Sequence, residues 1–306
     1  MIRSQACWRL RTRTLELGRR TLVMGVVNIT PDSFSDGGSF LDSDKAVAHA
    51  ARLLEEGADL IDVGAESTRP GSDAGGTHPA VNAREEQARL LPVLKEILKI
   101  KPDALISVDT YKADTARAAL AAGAEIINDV SGFVWDSVLA QVCAEFGAGV
   151  VVTHSRGRPE EWRTQPQLES DELMASVRSG LAASMALARR AGVAADAVVL
   201  DPGYGFGKRF GESYALLARQ AELLALGPPL LAGVSRKSFL GRTLAPLFGG
   251  RDAPVDAREN ASLAAMTAAI LNGASIVRVH EVRPAVEAAR IVDAIVERQR
   301  VSESAS

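Results

Sequence analysis

Short aliphatic, β-branched runs recur along the chain and alternate with longer stretches whose apolar positions repeat every three to four residues. Eight such runs stand out: "TLVMGVVN" (21–28), "DLIDVG" (59–64), "ALISVD" (104–109), "EIIND" (125–129), "AGVVVTH" (148–154), "AVVLD" (197–201), "PLLAGVS" (229–235) and "ASIVRVH" (274–280). They read as strands. The segments that follow them, 44–56, 82–99, 112–122, 136–146, 170–191, 212–226, 258–272 and 284–297, are alanine-rich with helical periodicity, which predicts helices. Gly57, Gly123, Gly147, Gly192 and Gly273 sit just past these patterns, where a left-handed cap ends a helix.

Regular strand–helix alternation implies a parallel sheet. Eight units in this length predict a closed α/β structure, a (β/α)8 TIM barrel of one domain over 21–298, rather than an open doubly wound sheet. No G-x-G-x-x-G follows the first strand, which weighs against the open form. The alternation in "WRLRTRTLELG" predicts a short β-hairpin within 1–20, and the polar "VSESAS" predicts a frayed tail over 299–306.

Composition narrows the class. Apolar residues make up 47% and aromatics 5% of the chain, so the core must be largely aliphatic. A net charge of −3 gives no reason to expect nucleic-acid or membrane binding. The arginines of the first twenty positions superficially resemble a targeting segment, but no long apolar run follows them. Cys7 and Cys143 are the only cysteines. They make no disulfide framework, so a reducing, cytoplasmic setting is expected.

The polar residues at the strand ends carry the functional signal. Asn28, Asp109, Asn128, Asp129, His154, Asp201, Ser235 and His280 all lie at, or one step past, the C-terminal end of a predicted strand. In a barrel those ends meet at one mouth, where active sites are built. Any one of them alone reads equally well as a capping residue. "DPGYGFGK" (201–208) lacks P-loop spacing, and its glycines are read as letting backbone approach a flat ligand. "STRPGS" (67–72) offers hydroxyls and Arg69, although alone it is also an ordinary turn. "GVSRKSFLGR" (233–242) places two cations and two hydroxyls after the seventh strand, a usual phosphate corner in barrels. Arg278 and His280 are two apart on the last strand and so share a face. An interior arginine needs an anion, either a substrate's or a barrel carboxylate such as Asp109. No histidine pair has zinc spacing. A hard ion such as Mg²⁺ would need few protein oxygens, with Asn28 and Asp36 the candidates. The loops 29–40 and 65–80 are expected to be mobile and to close over a polar heterocycle.

The motifs "MGVVNITPDSFSDGG", "GADLIDVGAESTRPG", "ISVDT", "IINDVSG", "VLDPGYGFGK", "GVSRKSFLG" and "IVRVHEV" occur in that order between about residues 8 and 296. Together they resemble the dihydropteroate synthase family, the pterin-binding enzymes of the folate pathway that sulfonamides inhibit. The resemblance implies a Mg²⁺-assisted, dissociative condensation of 6-hydroxymethyl-7,8-dihydropterin diphosphate with p-aminobenzoate to 7,8-dihydropteroate and diphosphate, in a homodimer. It implies that Asp109, Asn128, Asp201 and Lys237 bind the pterin. It puts Asn28, Arg69, Arg278 and His280 around the diphosphate, with Lys237 also catalytic and Asn28 and Asp36 at the metal. Phe34, Thr68, Pro70 and Ser238, with Lys237, would form the p-aminobenzoate pocket. Phe34 stands in a polar loop with nothing obvious to cover it; under the resemblance it covers the aryl ring, and otherwise it packs on the barrel rim. The chain departs from the family at Thr153 and Ser155, where "MHM" is common, so the pterin pocket is expected to lose an apolar wall. Ala65 and Glu281 are milder departures, and 72–86 carries extra loop residues. Two alternatives share the barrel: a methyltetrahydrofolate-dependent methyltransferase, which needs no diphosphate corner, and a pterin-binding paralogue without synthase activity.

Overall fold

The computed structural model describes residues 3–29, 39–66 and 81–304. Within these, a hairpin of β1 (Ala6–Arg9) and β2 (Thr14–Leu17) precedes eight parallel strands. The strands are β3 (Leu22–Asn28), β4 (Leu60–Gly64), β5 (Ile106–Asp109), β6 (Ile126–Asp129), β7 (Gly149–Thr153), β8 (Val198–Asp201), β9 (Leu230–Ala232) and β10 (Ala274–Val279). Each pairs with its sequence neighbour, and β10 pairs back onto β3 to close the barrel. Each run predicted from the sequence forms one of these strands, because a strand covered on both faces must be apolar almost throughout.

Around them lie α1 (Ser39–Glu55), α2 (Ala83–Ile100), α3 (Ala113–Ala121), α4 (Leu139–Phe146), α5 (Ser170–Ala191), α6 (Phe210–Arg219), α7 (Ser238–Thr243), α8 (Glu259–Leu271) and α9 (Val282–Ser304). Three details differ from the periodicity. The pattern at 212–226 splits into α6 and a 3-10 segment, Gln220–Leu226. There the buried Gln220 side chain donates to the carbonyls of Ala269 and Asn272 and accepts from the Tyr204 hydroxyl. The short α7 intervenes before α8, within a stretch too brief to show a period. Finally, α9 continues to Ser304 through the residues expected to fray, since extending an already packed helix adds a hydrogen bond per residue without a new nucleus.

Strand alternation turns every second residue into the barrel interior, and the two ends of that interior differ. At the N-terminal end Met24, Leu60, Ile126, Val151, Val199, Leu231 and Ile276 form an apolar floor, sealed by Trp8, Leu10 and Leu17 of the hairpin. The Trp8 indole N–H donates to the Ala197 carbonyl at 2.9 Å, and Arg11 Nε to the Ala124 carbonyl at 3.0 Å. Arg3 is buried against Asp293 at 2.5 Å. These N-terminal arginines therefore clip the hairpin to the barrel. The other half of the interior is polar, and it opens at the strands' C-terminal ends.

Candidate functional site

That polar half is a cavity of about 1090 Å³. Asn28, Asp109, Asn128, Asp201, Ser235, Lys237, Ser238, Arg278 and His280 all line it, whereas the strand-end Asp129 and His154 do not: Asp129 instead accepts from the Ser131 and Phe133 amides. Phe34, Asp36, Thr68, Arg69 and Pro70 lie outside the described residues.

Arg278 anchors the interior. Its Nε donates to Asp62 Oδ2 at 2.6 Å and its Nη2 to Asp109 Oδ2 at 3.0 Å, while Asn128 Nδ2 reaches the same Asp62 oxygen at 3.0 Å. A barrel carboxylate thus supplies the anion required for this arginine. Asp62 is not among the strand-end candidates, although period-two alternation with Leu60 and Gly64 in "DLIDVG" places it inside. Burial pushes the Asp109 carboxyl up to about 7, against the opposing pull of Arg278, and Asp62 nearby adds to the rise. Asp201 is raised by burial as well, while the Gly203 N–H (2.7 Å) and the cations of Lys237, Lys208 and Arg278 restrain it.

Two positions of the glycine-rich loop have a packing role. A Cβ on Gly203 would lie 2.0 Å from the His154 carbonyl oxygen, and one on Gly207 would lie 2.6 Å from that of Arg156. Gly203 and Gly207 thus let two backbones touch, while Gly205 and Gly207 also line the cavity. Lys208 pins the contact from within, donating to the carbonyls of His154 (2.9 Å) and Gly203 (2.8 Å). Burial lowers its ammonium to about 7. His154, lowered by burial to about 2, is neutral and packs beneath the same loop. The Phe206 ring carried by this loop faces the cavity, and Lys237 Nζ lies 3.7 Å from its centroid.

The expected phosphate corner is only partly cationic. Arg236 is engaged by Glu281 and lies 3.8 Å from Glu259, so the Glu281 that departs from the family pattern holds a neighbouring arginine. Ser235 Oγ lies 3.0 Å from His280 Nδ1, fixing that ring at the end of β10. On the far rim Glu66 accepts from the Val81 amide at 3.1 Å and pairs with Lys112, which also meets Glu86 at 3.3 Å. Sequence reading did not single out Glu66, Phe206 or Lys208. All three lie within quoted motifs, but nothing local marks which of the motif residues face the cavity. Among the described residues no group of three or more His, Cys, Asp or Glu could hold a metal.

The family pattern of pterin binding enzymes matches residues 24–280. The dihydropteroate synthase of Mycobacterium leprae is 45% identical over 272 residues, covering 89% of this chain and 92% of that protein. Xanthomonas albilineans dihydropteroate synthase, solved with 4-aminobenzoic acid, superposes with a TM-score of 0.82 at 39% identity, covering 95% of this chain and 98% of the other. The same enzyme in complex with 7,8-dihydropteroate gives 0.77 at 37% identity, covering 94% and 98%.

Proposed function

The chain belongs to the pterin-binding enzymes and, within them, to the dihydropteroate synthases, and from that premise we propose how its barrel mouth performs the condensation. The C–O bond between the pterin methylene and diphosphate breaks, and the p-aminobenzoate nitrogen bonds to that carbon. The amine gives up one proton, and the products are 7,8-dihydropteroate and diphosphate. The observation that carries this reading is the convergence of Asp109, Asn128 and Asp201 with Lys237, Arg278 and His280 on one cavity.

In this reading Asp109, Asn128 and Asp201 accept and donate along the pterin's guanidine-like edge, and Lys237 donates to its ring carbonyl. Arg278 and His280, the latter steered by Ser235, face the departing diphosphate, with Arg69 completing that corner. Leaving-group departure puts positive charge on the methylene, which the electron-rich ring delocalises. Fixed cations aimed at the anion, with no reorganisation at the moment of reaction, stabilise that separation. Ser238, with Phe34, Thr68 and Pro70, holds p-aminobenzoate. The half-buried Asn28, at the end of β3, offers one amide oxygen to the mouth. One such donor, with Asp36, suits a Mg²⁺ ion whose other ligands are water and substrate phosphates. When bound, Mg²⁺ would offset diphosphate charge. We further propose a homodimer, supported by the exposed Leu271, Ile291 and Ile295 on α8 and α9. A cytoplasmic location is supported by the free thiols of Cys7 and Cys143.

The deciding experiment measures diphosphate release by the purified chain given dihydropterin diphosphate, with and without p-aminobenzoate and Mg²⁺. Release that requires Mg²⁺ and matches dihydropteroate formation is expected. Tight pterin binding without release would sink the synthase assignment in favour of the inactive paralogue.

A further inference from the structure

Trp162 follows the one-turn 3-10 helix Pro159–Glu161, is only 6% exposed, and lines the cavity. Its ring lies 5.2 Å from that of Phe206, tilted by 47°. Its indole N–H is shared between Ser155 Oγ at 3.1 Å and the Gly157 carbonyl at 3.0 Å, and the Ser155 hydroxyl donates to that carbonyl at 2.9 Å. Ser155 thus helps orient an indole that forms part of the cavity wall.

Phe206 needs such a support. Its neighbours in sequence, Gly205 and Gly207, both have positive φ and no side chain to confine its rotamer. The Phe206 backbone is held at both groups: its N–H donates to the Gly203 carbonyl at 3.1 Å, and its carbonyl accepts from the Arg156 amide at 3.3 Å and Lys208 Nζ at 3.4 Å. The ring is held by contact, with Trp162 and with Lys237 Nζ. An aromatic pair of this kind contributes beyond its buried area.

We infer that Trp162 is a positioning residue for the aryl acceptor: it fixes Phe206 as a wall of the p-aminobenzoate pocket and, through that ring, the position of Lys237. This rests on the synthase reading. Ser155 and Trp162 act as a unit, with the hydroxyl setting the indole plane and the indole setting the phenyl ring.

The test is steady-state kinetics of the full chain with each substrate varied, on Trp162→Leu, Trp162→Phe and Ser155→Ala. Trp162→Leu is expected to raise the p-aminobenzoate KM about fivefold, with the pterin diphosphate KM changed by less than about twofold. Trp162→Phe, which keeps a ring, restores part of the acceptor affinity. Ser155→Ala moves the acceptor KM in the same direction by a smaller factor. Equal rises in both KM values, a loss confined to kcat, or an unchanged acceptor KM would overturn the inference. Should Trp162→Leu not fold, the other two variants carry the test, because both preserve the packing. A wild-type chain that makes dihydropteroate while its variants keep their acceptor KM refutes this inference alone. A wild-type chain that makes none refutes the synthase reading too.

Discussion

Asp109 shows how much of the site's behaviour rests on a single side chain. A quarter of it is open to the cavity, so a bound ligand, more than folding, completes its desolvation. With the carboxyl pushed up to about 7, it is partly protonated near neutrality, and a pterin edge rich in N–H donors needs the ionised form. The affinity for 6-hydroxymethyl-7,8-dihydropterin, which lacks the titrating diphosphate, should therefore fall about tenfold from its high-pH plateau at one unit below that value. Calorimetric titration between pH 5.5 and 8.5 checks this, and Asp109→Asn should bind weakly with a flat profile. The stability linkage has the opposite sense. A carboxyl whose folded pKa exceeds its unfolded value stabilises fully below the unfolded value, and that contribution is lost as pH rises through about 7. At this scale the sequence made Asp109, Asn128 and Asp201 legible, because they end strands. It hid Asp62, whose importance comes from Arg278 on a strand more than two hundred residues later.

At the scale of elements, α5 and the turn after β7 are fitted to each other. Gly180 lies within α5, where glycine ordinarily costs a helix about 1 kcal/mol relative to alanine. A Cβ there would lie 2.4 Å from His154 Cδ2 and 3.0 Å from its Nε2. Gly180→Ala should therefore destabilise, by about 1–3 kcal/mol as overpacking does, instead of stabilising as helix propensity alone demands. A denaturant midpoint shifted downward with unchanged slope would establish this; an upward shift would show that His154 yields. The periodicity located α5 closely but was silent about this contact, since helical propensity contains no information about the neighbouring loop. The same limit explains α7: six residues, Ser238–Thr243, are too few for a period. They become helical because the chain must turn away from β9 over Phe239 and Leu240, which are buried.

For the molecule as a whole, the two ends of the barrel have separate duties. The hairpin and aliphatic floor close one end, and the polar mouth occupies the other, so sequence changes at the floor affect stability more than binding. The outer surface adds a third element. Ile291 and Ile295 are 66% and 48% exposed on α9, four residues apart and so on one face, and Leu271 is 45% exposed at the end of the adjacent α8. If this face joins two copies, Ile291→Glu with Ile295→Glu should convert a dimer to a monomer in sedimentation equilibrium while leaving each barrel folded. A wild-type chain that sediments as a monomer would remove the proposal.

The sequence by itself determined the barrel, because eight runs buried on both faces must be apolar and eight intervening helices must carry one apolar stripe. It also determined which end is functional, because polar residues at successive strand ends can share only that mouth. Tertiary structure alone decided the pairings. Arg278 meets Asp62 and Asp109, Gly203 and Gly207 face backbone, and Ser155 orients Trp162 against Phe206. Each of these depends on distances across the barrel or between loops, which closure fixes and local sequence does not encode.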